Sequence, residues 1–346
     1  MSEDVGTHLE QPAEAAAPAP RWDPAAVPAR LSRRGIYWVP GSRVSSAEGT
    51  LPCGPLFVEW EAPEHITEPY PLVLIHGGGG QGTDWLGTPD GGAGWASRFV
   101  DTGFAVHVAD RPGHGRSPLH PDVLGAPGPA FTYEGAVGLF APAEVADRQT
   151  AWPGGRDAGD PVVEQLVAPT GPMLADVPAA HAREGEALTR LLEAVGPAVL
   201  VTHSAGAPAG WMVADRRPDL VRAIVAIEPI GPPFASIRGG GHSLAYGLTA
   251  APTGYRAPTQ DEPATWPALA DVPVAVVTAE VSPLAGIGRA VMDHLAGAGV
   301  DVEHLDLPAY GIRGNGHGVM MESNGAESVA LLAGWIRGVV TRSPRT

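Results

Sequence analysis

Three side chains that together make an activated nucleophile lie far apart in this chain. A serine sits in Thr202-His203-Ser204-Ala205-Gly206, a glutamate at the end of an apolar run (Glu228), and a histidine in Gly314-Asn315-Gly316-His317-Gly318. The serine follows Val199-Leu200-Val201 and precedes the helix-compatible segment Ala207 to Arg217. A tight strand-to-helix turn pushes a serine hydroxyl out of the backbone, and the amides opening the helix point at the same spot. Taken alone, the pattern also fits a helix-capping serine at a strand end.

A serine hydroxyl needs a base. Of the twelve histidines, His317 is the best placed, in a Gly-rich loop between the last strand and the last helix. The alternative for it is a solvent-exposed loop histidine. His203 adjoins the serine, but at a sharp turn its side chain leaves in another direction. The third partner is an acid that orients the imidazole and stabilises its charged form. Glu228, between Ile227 and Pro229, ends the strand after the serine's own and is preferred. Glu280, at the end of the next strand, is its rival; just beyond it stands Val281-Ser282-Pro283.

A fourth element is Leu72-Val73-Leu74-Ile75-His76-Gly77-Gly78-Gly79-Gly80-Gln81-Gly82. Gly77, Gly79 and Gly82 satisfy G-x-G-x-x-G, the spacing that cradles a dinucleotide pyrophosphate. The next residues, Thr83 to Pro89, start a helix poorly, and no acid sits cleanly at a strand end about 20 positions on; Asp110 comes later. The better reading is a loop whose backbone amides approach a developing oxyanion. Gly78 and Ala205 are then the donors, and His76 ties the loop structurally. In Val108-Ala109-Asp110-Arg111-Pro112-Gly113-His114-Gly115, Asp110 and Arg111 pair with each other or brace the turn. Met320 and Met321 belong to the core or line an acyl pocket.

These groups must be held by a framework, and the chain supplies one. Short Val/Ile-rich runs at Pro71–Ile75, Phe104–Ala109, Ala198–Thr202, Ala223–Ile227, Val274–Thr278 and Val302–Leu307 suit strands buried on both faces. Gly35–Val39 and Leu56–Trp60 form an opening pair. Helices are predicted at Ala180–Ala194, Ala207–Arg217, Ile287–Ala298 and Glu327–Val340. The alternation predicts an α/β fold with a mostly parallel, doubly wound sheet of about eight strands. Residues 1–30 read as a flexible Ala/Pro/Glu-rich tail, and residues 31–346 as one domain. Two Pro/Gly-rich stretches, 117–178 and 232–270, read as cap or lid insertions at strand C-terminal ends, where ligands bind in open sheets.

Composition excludes several functions. The chain has 346 residues, 44% hydrophobic, enough for a large core, and a formal charge of −16, which argues against nucleic-acid and anionic-membrane partners. It contains no lysine, so Schiff-base, pyridoxal-phosphate, P-loop and kinase-type lysine chemistry cannot occur. Cys53 is the single cysteine, which rules out an intrachain disulfide and a cysteine-based zinc site. The acidic N-terminus is unlike a secretory signal, and no run of about 18 apolar residues appears, so a cytoplasmic location is expected.

With these residues in place the chain resembles the α/β-hydrolase superfamily, and within it bacterial serine esterases of the esterase 713 type. The resemblance rests on "VLIHGGGGQGTDW", "TPDGGAGW", "ADRPGHGRS", "THSAGA", "IEPIGPP" and "GNGH", in order over residues 33–340. It implies cleavage of a small-molecule carboxylic ester through an acyl-enzyme, no cofactor and no metal, and frequent homodimers. Serine and histidine carry over to Ser204 and His317, the first oxyanion donor to Gly78. The acid in that group is a glutamate after the sixth strand, which supports Glu228. Thr202 departs from the glycine usual there, and the insertions match nothing in the family. Lactone, amide or carbon–carbon bond hydrolysis at the same site is the alternative chemistry. A non-catalytic ligand-binding relative is the alternative of another class.

Overall fold

The computed structural model describes residues 23, 25, 27–232 and 243–341. Most of the expected N-terminal tail thus lies outside the described residues, as do residues 233–242 of the second insertion, including Gly239-Gly240-Gly241.

The described residues form ten strands: β1 (Ser32–Val39), β2 (Ser42–Ser46), β3 (Gly49–Cys53), β4 (Leu56–Pro63), β5 (Leu72–Ile75), β6 (Val106–Asp110), β7 (Ala198–His203), β8 (Val221–Ile227), β9 (Val274–Thr278) and β10 (Val302–Asp306). Eight form one sheet in the order β1-β4-β6-β5-β7-β8-β9-β10. β1 and β4 pair antiparallel with their neighbours, and every pairing from β6 to β10 is parallel. The α/β sheet predicted from the apolar runs is therefore the one formed. Sequence patterning did not reveal β2 and β3, an antiparallel ribbon whose residues are exposed except Cys53. A strand without a buried face leaves no apolar period to read.

Helices cover both faces: α1 (Trp95–Asp101), α2 (Pro121–Leu124), α3 (Tyr133–Phe140), α4 (Pro161–Val167), α5 (Val177–Val195), α6 (Ala207–Arg216), α7 (Ala285–Gly297) and α8 (Gly325–Val340). Leu72 and Leu74 of β5 pack with Phe99 of α1 and Leu332 of α8. Val73 and Ile75 point the other way, onto Leu188 of α5, Trp211 of α6 and Val291 of α7. A strand buried on both faces needs apolar residues at every position, which is why these strands read as continuous apolar runs. α5 begins where the Asp176 side chain accepts the Ala179 amide at 2.9 Å and ends before Gly196 at φ 90°.

The first insertion contains α2, α3 and α4, none longer than eight residues. Their starts are set by local caps: Thr132 accepts from Gly135 N at 3.1 Å, and Asp160 from Val162 N at 2.9 Å. Helices this short give only one or two turns of apolar period, so the segment reads as loop in sequence. No described helix is long and apolar enough to cross a membrane.

Candidate active site

β7 carries the chain to Ser204, which takes φ 50°, and β8 carries it to Glu228, which takes φ 45°. Among the described residues these are the two non-glycine positions with positive φ. Left-handed backbone at a side-chain-bearing residue costs on the order of 1–3 kcal/mol and persists only where the surroundings impose it. At Ser204 they do. A Cβ on Gly206 would lie on the His76 carbonyl oxygen, and one on Gly77 would lie 2.7 Å from His203 Nδ1. The serine turn and the glycine loop interlock so closely that only glycine fits at both.

Thr202, off the usual pattern, has its own accommodation. A Cβ on Gly210 of α6 would lie 2.9 Å from Thr202 Cγ2. The space usually left by glycine on the strand is here left by glycine on the helix.

The four expected groups converge. His317 Nε2 lies 3.0 Å from Ser204 Oγ, across 113 residues of sequence. His317 Nδ1 faces Glu228 Oε2 at 3.6 Å, beyond hydrogen-bond length. A Cβ on Gly78 would sit 3.1 Å from Ala205 Cβ, so the two expected oxyanion donors are neighbours. Ser204 is 7% exposed, and His317 and Glu228 are fully buried. Burial pushes the His317 imidazole down to about 3. Burial pushes the Glu228 carboxyl up to about 7, against the opposing hydrogen bonds from Ser282 and Ala279. In this state the imidazole is neutral and able to accept a proton on Nε2.

Glu228 accepts the Ala279 amide on Oε1 at 2.6 Å, and the Ser282 hydroxyl on Oε2. Glu280 is elsewhere: it accepts Arg313 Nη1 at 3.1 Å and the Gly314 amide at 2.9 Å. It braces the histidine loop and does not face the imidazole. That loop is rigidly tied despite its glycines. Buried Glu322 accepts the Gly316 amide at 2.8 Å and Asn315 Nδ2 at 2.6 Å, and Val281 N donates to Asn315 O at 3.0 Å. Gln149 of the first insertion donates to the same Glu322 at 2.9 Å.

His203 Nε2 donates to the His317 carbonyl at 3.0 Å, and the two rings lie tilted against each other with centroids 4.6 Å apart. Its side chain does turn away from Ser204, as expected, and it braces the histidine. His76 accepts the Arg111 amide on Nε2 at 3.0 Å, so its proton is on Nδ1, which donates to Gly77 O at 2.9 Å. Asp110 and Arg111 do not pair with each other. Asp110 holds the Gly82 amide at 2.6 Å and Arg116 Nε at 2.8 Å, while Arg111 pairs with Glu184 of α5 at 2.9 Å. Met320 and Met321 pack in the core with Trp95 and Leu332.

The dinucleotide reading of the glycine loop does not fit. Gly82 opens a single 3-10 turn, Gly82–Trp85, and Asp110 is spent within the fold. Among the described residues no cluster of three His, Cys, Asp or Glu side chains could hold a metal ion. Sequence reasoning missed the supporting polar groups: Ser282, Glu322, Gln149, and the Arg111–Glu184 pair. Of these, only Arg111 and Ser282 stand in stretches that the sequence singled out, and neither was tied to its partner.

Apolar side chains flank these groups. Gly79 backs onto Phe131, with a Cβ there 3.0 Å from its ring, and Gly78 onto Met173 at 2.8 Å. Phe140 packs at 5.4 Å against the His317 ring. Ile230, Leu244 and Ala250 cluster with Ala205.

Comparison with known proteins agrees with this architecture. Residues 70–245 match the family described as alpha/beta hydrolase fold. A fungal protein named "Probable secreted lipase phiG", from Fungal sp. (strain ATCC 74256), is 35% identical over 315 residues, 82% of this chain and 85% of its own. The solved structure of "a Novel Bacterial Esterase" superposes with a TM-score of 0.67 over 94% of this chain and 100% of that one, at 23% identity, a likeness of fold. The chain belongs to the α/β-hydrolase fold family.

Proposed function

We propose that this protein is a serine carboxylic-ester hydrolase working through an acyl-enzyme, with Ser204, His317 and Glu228 as its triad. One observation carries the reading: His317 Nε2 lies 3.0 Å from the hydroxyl of a serine held at φ 50°. The resemblance of the chain to a lipase over most of its length supports an ester as the substrate.

Ser204 Oγ attacks the acyl carbon while its proton passes to His317 Nε2. The carbonyl electron pair moves to oxygen, where the Gly78 and Ala205 amides receive it. When the tetrahedral adduct collapses, the carbon–alkoxy bond breaks and the alkoxide takes the proton from His317. Water then attacks the acyl carbon by the same route, freeing the acid and restoring Ser204. Glu228 holds the Nδ1–H tautomer and stabilises the imidazolium, closing its 3.6 Å gap as charge develops. The apolar side chains of Phe131, Phe140, Met173, Ile230 and Leu244 around these groups favour an ester with an apolar portion. Ser204 is 7% exposed, and Phe131, Phe140 and Met173 of the first insertion stand against the glycine loop and the His317 ring, so that insertion acts as a cap that moves aside to admit the ester.

Labelling with a fluorophosphonate tests the reading. The native protein is expected to be labelled and to hydrolyse p-nitrophenyl esters, and Ser204→Ala to do neither. An unlabelled, inactive native protein would overturn it.

A further inference from the structure

Four consecutive glycines, Gly77 to Gly80, form the loop that carries the first oxyanion donor. Peptide units between glycines rotate at little steric cost, so nothing intrinsic to the loop decides which way the Gly78 N–H points. Something outside the loop must decide it.

Arg111 is 2% exposed and reaches the loop from below. Its Nη2 donates to the Gly77 carbonyl at 2.6 Å, which also accepts His76 Nδ1 at 2.9 Å. Its Nη1 donates to Glu184 at 2.9 Å and approaches the Ala205 carbonyl at 3.4 Å. One guanidinium thus touches the oxygen side of both loops that meet at the site. Among the described residues there are no cis peptides, so the Gly77 carbonyl and the Gly78 N–H lie in one plane and point in opposite directions. Pinning that oxygen on Arg111 aims that N–H away from it. A cation on the oxygen also polarises the peptide and strengthens its N–H as a donor.

We infer that Arg111 is a positioning residue for the oxyanion hole: it clamps the Gly77–Gly78 peptide, and Glu184 keeps its buried charge compensated. This rests on the serine-hydrolase reading above. Arg111 touches no reacting atom. Its effect is to keep the Gly78 amide where negative charge develops, so it acts on the tetrahedral state and not on substrate binding.

The test uses Arg111→Lys, Arg111→Met and the double variant Arg111→Met/Glu184→Met, which removes the clamp without stranding a buried carboxylate. Three readouts are compared on the full chain: folding by circular dichroism, kcat and KM for a p-nitrophenyl ester, and affinity for an aryl trifluoromethyl ketone. The ketone reports the hole directly. Ser204 Oγ bonds to its carbonyl carbon, the serine proton goes to His317, and the carbonyl pair becomes an oxyanion with no leaving group.

Losing one oxyanion donor costs about 10²–10³ in kcat. The folded Met variants are expected to lose about 30- to 100-fold in kcat and in ketone affinity, with KM within about threefold of native. Arg111→Lys, a single point donor in place of a fork, is expected to fall between them and native. Native kcat and ketone affinity in a folded double variant, or in Arg111→Lys if only that variant folds, would overturn the clamp. Loss of fluorophosphonate labelling and esterase activity in the native protein is a different outcome, and it defeats the serine-hydrolase reading itself.

Discussion

Ser282 donates its hydroxyl to Glu228, tying the loop after β9 to the glutamate that stands after β8. Ser282 Oγ in turn accepts the Leu284 amide at 3.0 Å, so its orientation is set by the backbone. The hydroxyl stabilises the charged form of a carboxyl that burial pushes up to about 7. The proposed mechanism needs that carboxyl ionised beside a neutral imidazole. The rate of the native protein is therefore expected to rise with pH through an apparent value near 7 that belongs to the His317–Glu228 pair. Removing a hydrogen bond to a charged group costs about 1.5–3 kcal/mol, enough to raise a pKa by about one unit. Ser282→Ala is expected to move the low-pH limb of kcat/KM upward by about one unit and to approach native rates at pH 9. An unmoved limb would separate Ser282 from the acid.

Glu228→Gln is expected to lower kcat by up to about 10⁴-fold, through loss of the correct tautomer and of imidazolium stabilisation. Glu280→Gln is expected to stay within about threefold of native, because Glu280 contacts a solvent-exposed Arg313 and a loop amide. Steady-state kinetics at pH 8 decides between them. The reverse ranking would transfer the acid to Glu280.

The Thr202–Gly210 contact predicts a compensating pair. Gly210→Ala puts a Cβ 2.9 Å from Thr202 Cγ2, and overpacking of this kind costs about 1–3 kcal/mol. Against that stands a gain of about 1 kcal/mol in helix propensity. Thr202→Ser removes the methyl in question. Thermal unfolding of the two single variants and the double should show the double more stable than Gly210→Ala alone. Strict additivity in that cycle would mean the two residues do not share the space.

Asp84 lies in the 3-10 turn after the glycine loop, and burial raises its carboxyl to about 7. The native state therefore binds a proton that the unfolded chain has lost by about pH 5. Unfolding free energy falls as pH rises through the window from the ordinary value of 3.8 to about 7. The stabilisation is fully present below that window and lost above it, by at most about 4 kcal/mol. Asp84→Asn, which carries no charge, is expected to be more stable than native at pH 8 and no more stable at pH 4. Equal stability curves across this range in denaturant titrations would contradict the assignment.

The sheet was legible in the sequence because strands buried on both faces must be apolar at every position, and Leu72–Ile75 and Ala198–Thr202 are. The ribbon β2–β3 and helices α2 to α4 were not, because an exposed strand or a two-turn helix carries too little periodicity. Ser204, Glu228, His317, Gly78 and Ala205 could be named as candidates from residue type and position at strand ends. Their supports could not. Arg111 and Glu184 are 73 residues apart, and Gln149 and Glu322 are 173 apart. Nothing in local spacing marks such partners.

Chain order and residue type by themselves determined that one serine, one histidine and a glutamate would stand at the carboxyl ends of a parallel sheet, since every β-to-α crossover returns there. Glu228 was preferred over Glu280 from the sequence, but only the tertiary structure shows which of them faces His317. Both end neighbouring strands and both are glutamates. The choice turns on backbone direction at one residue: positive φ at Glu228 turns its carboxyl toward His317, while Glu280 continues outward to Arg313 and Gly314.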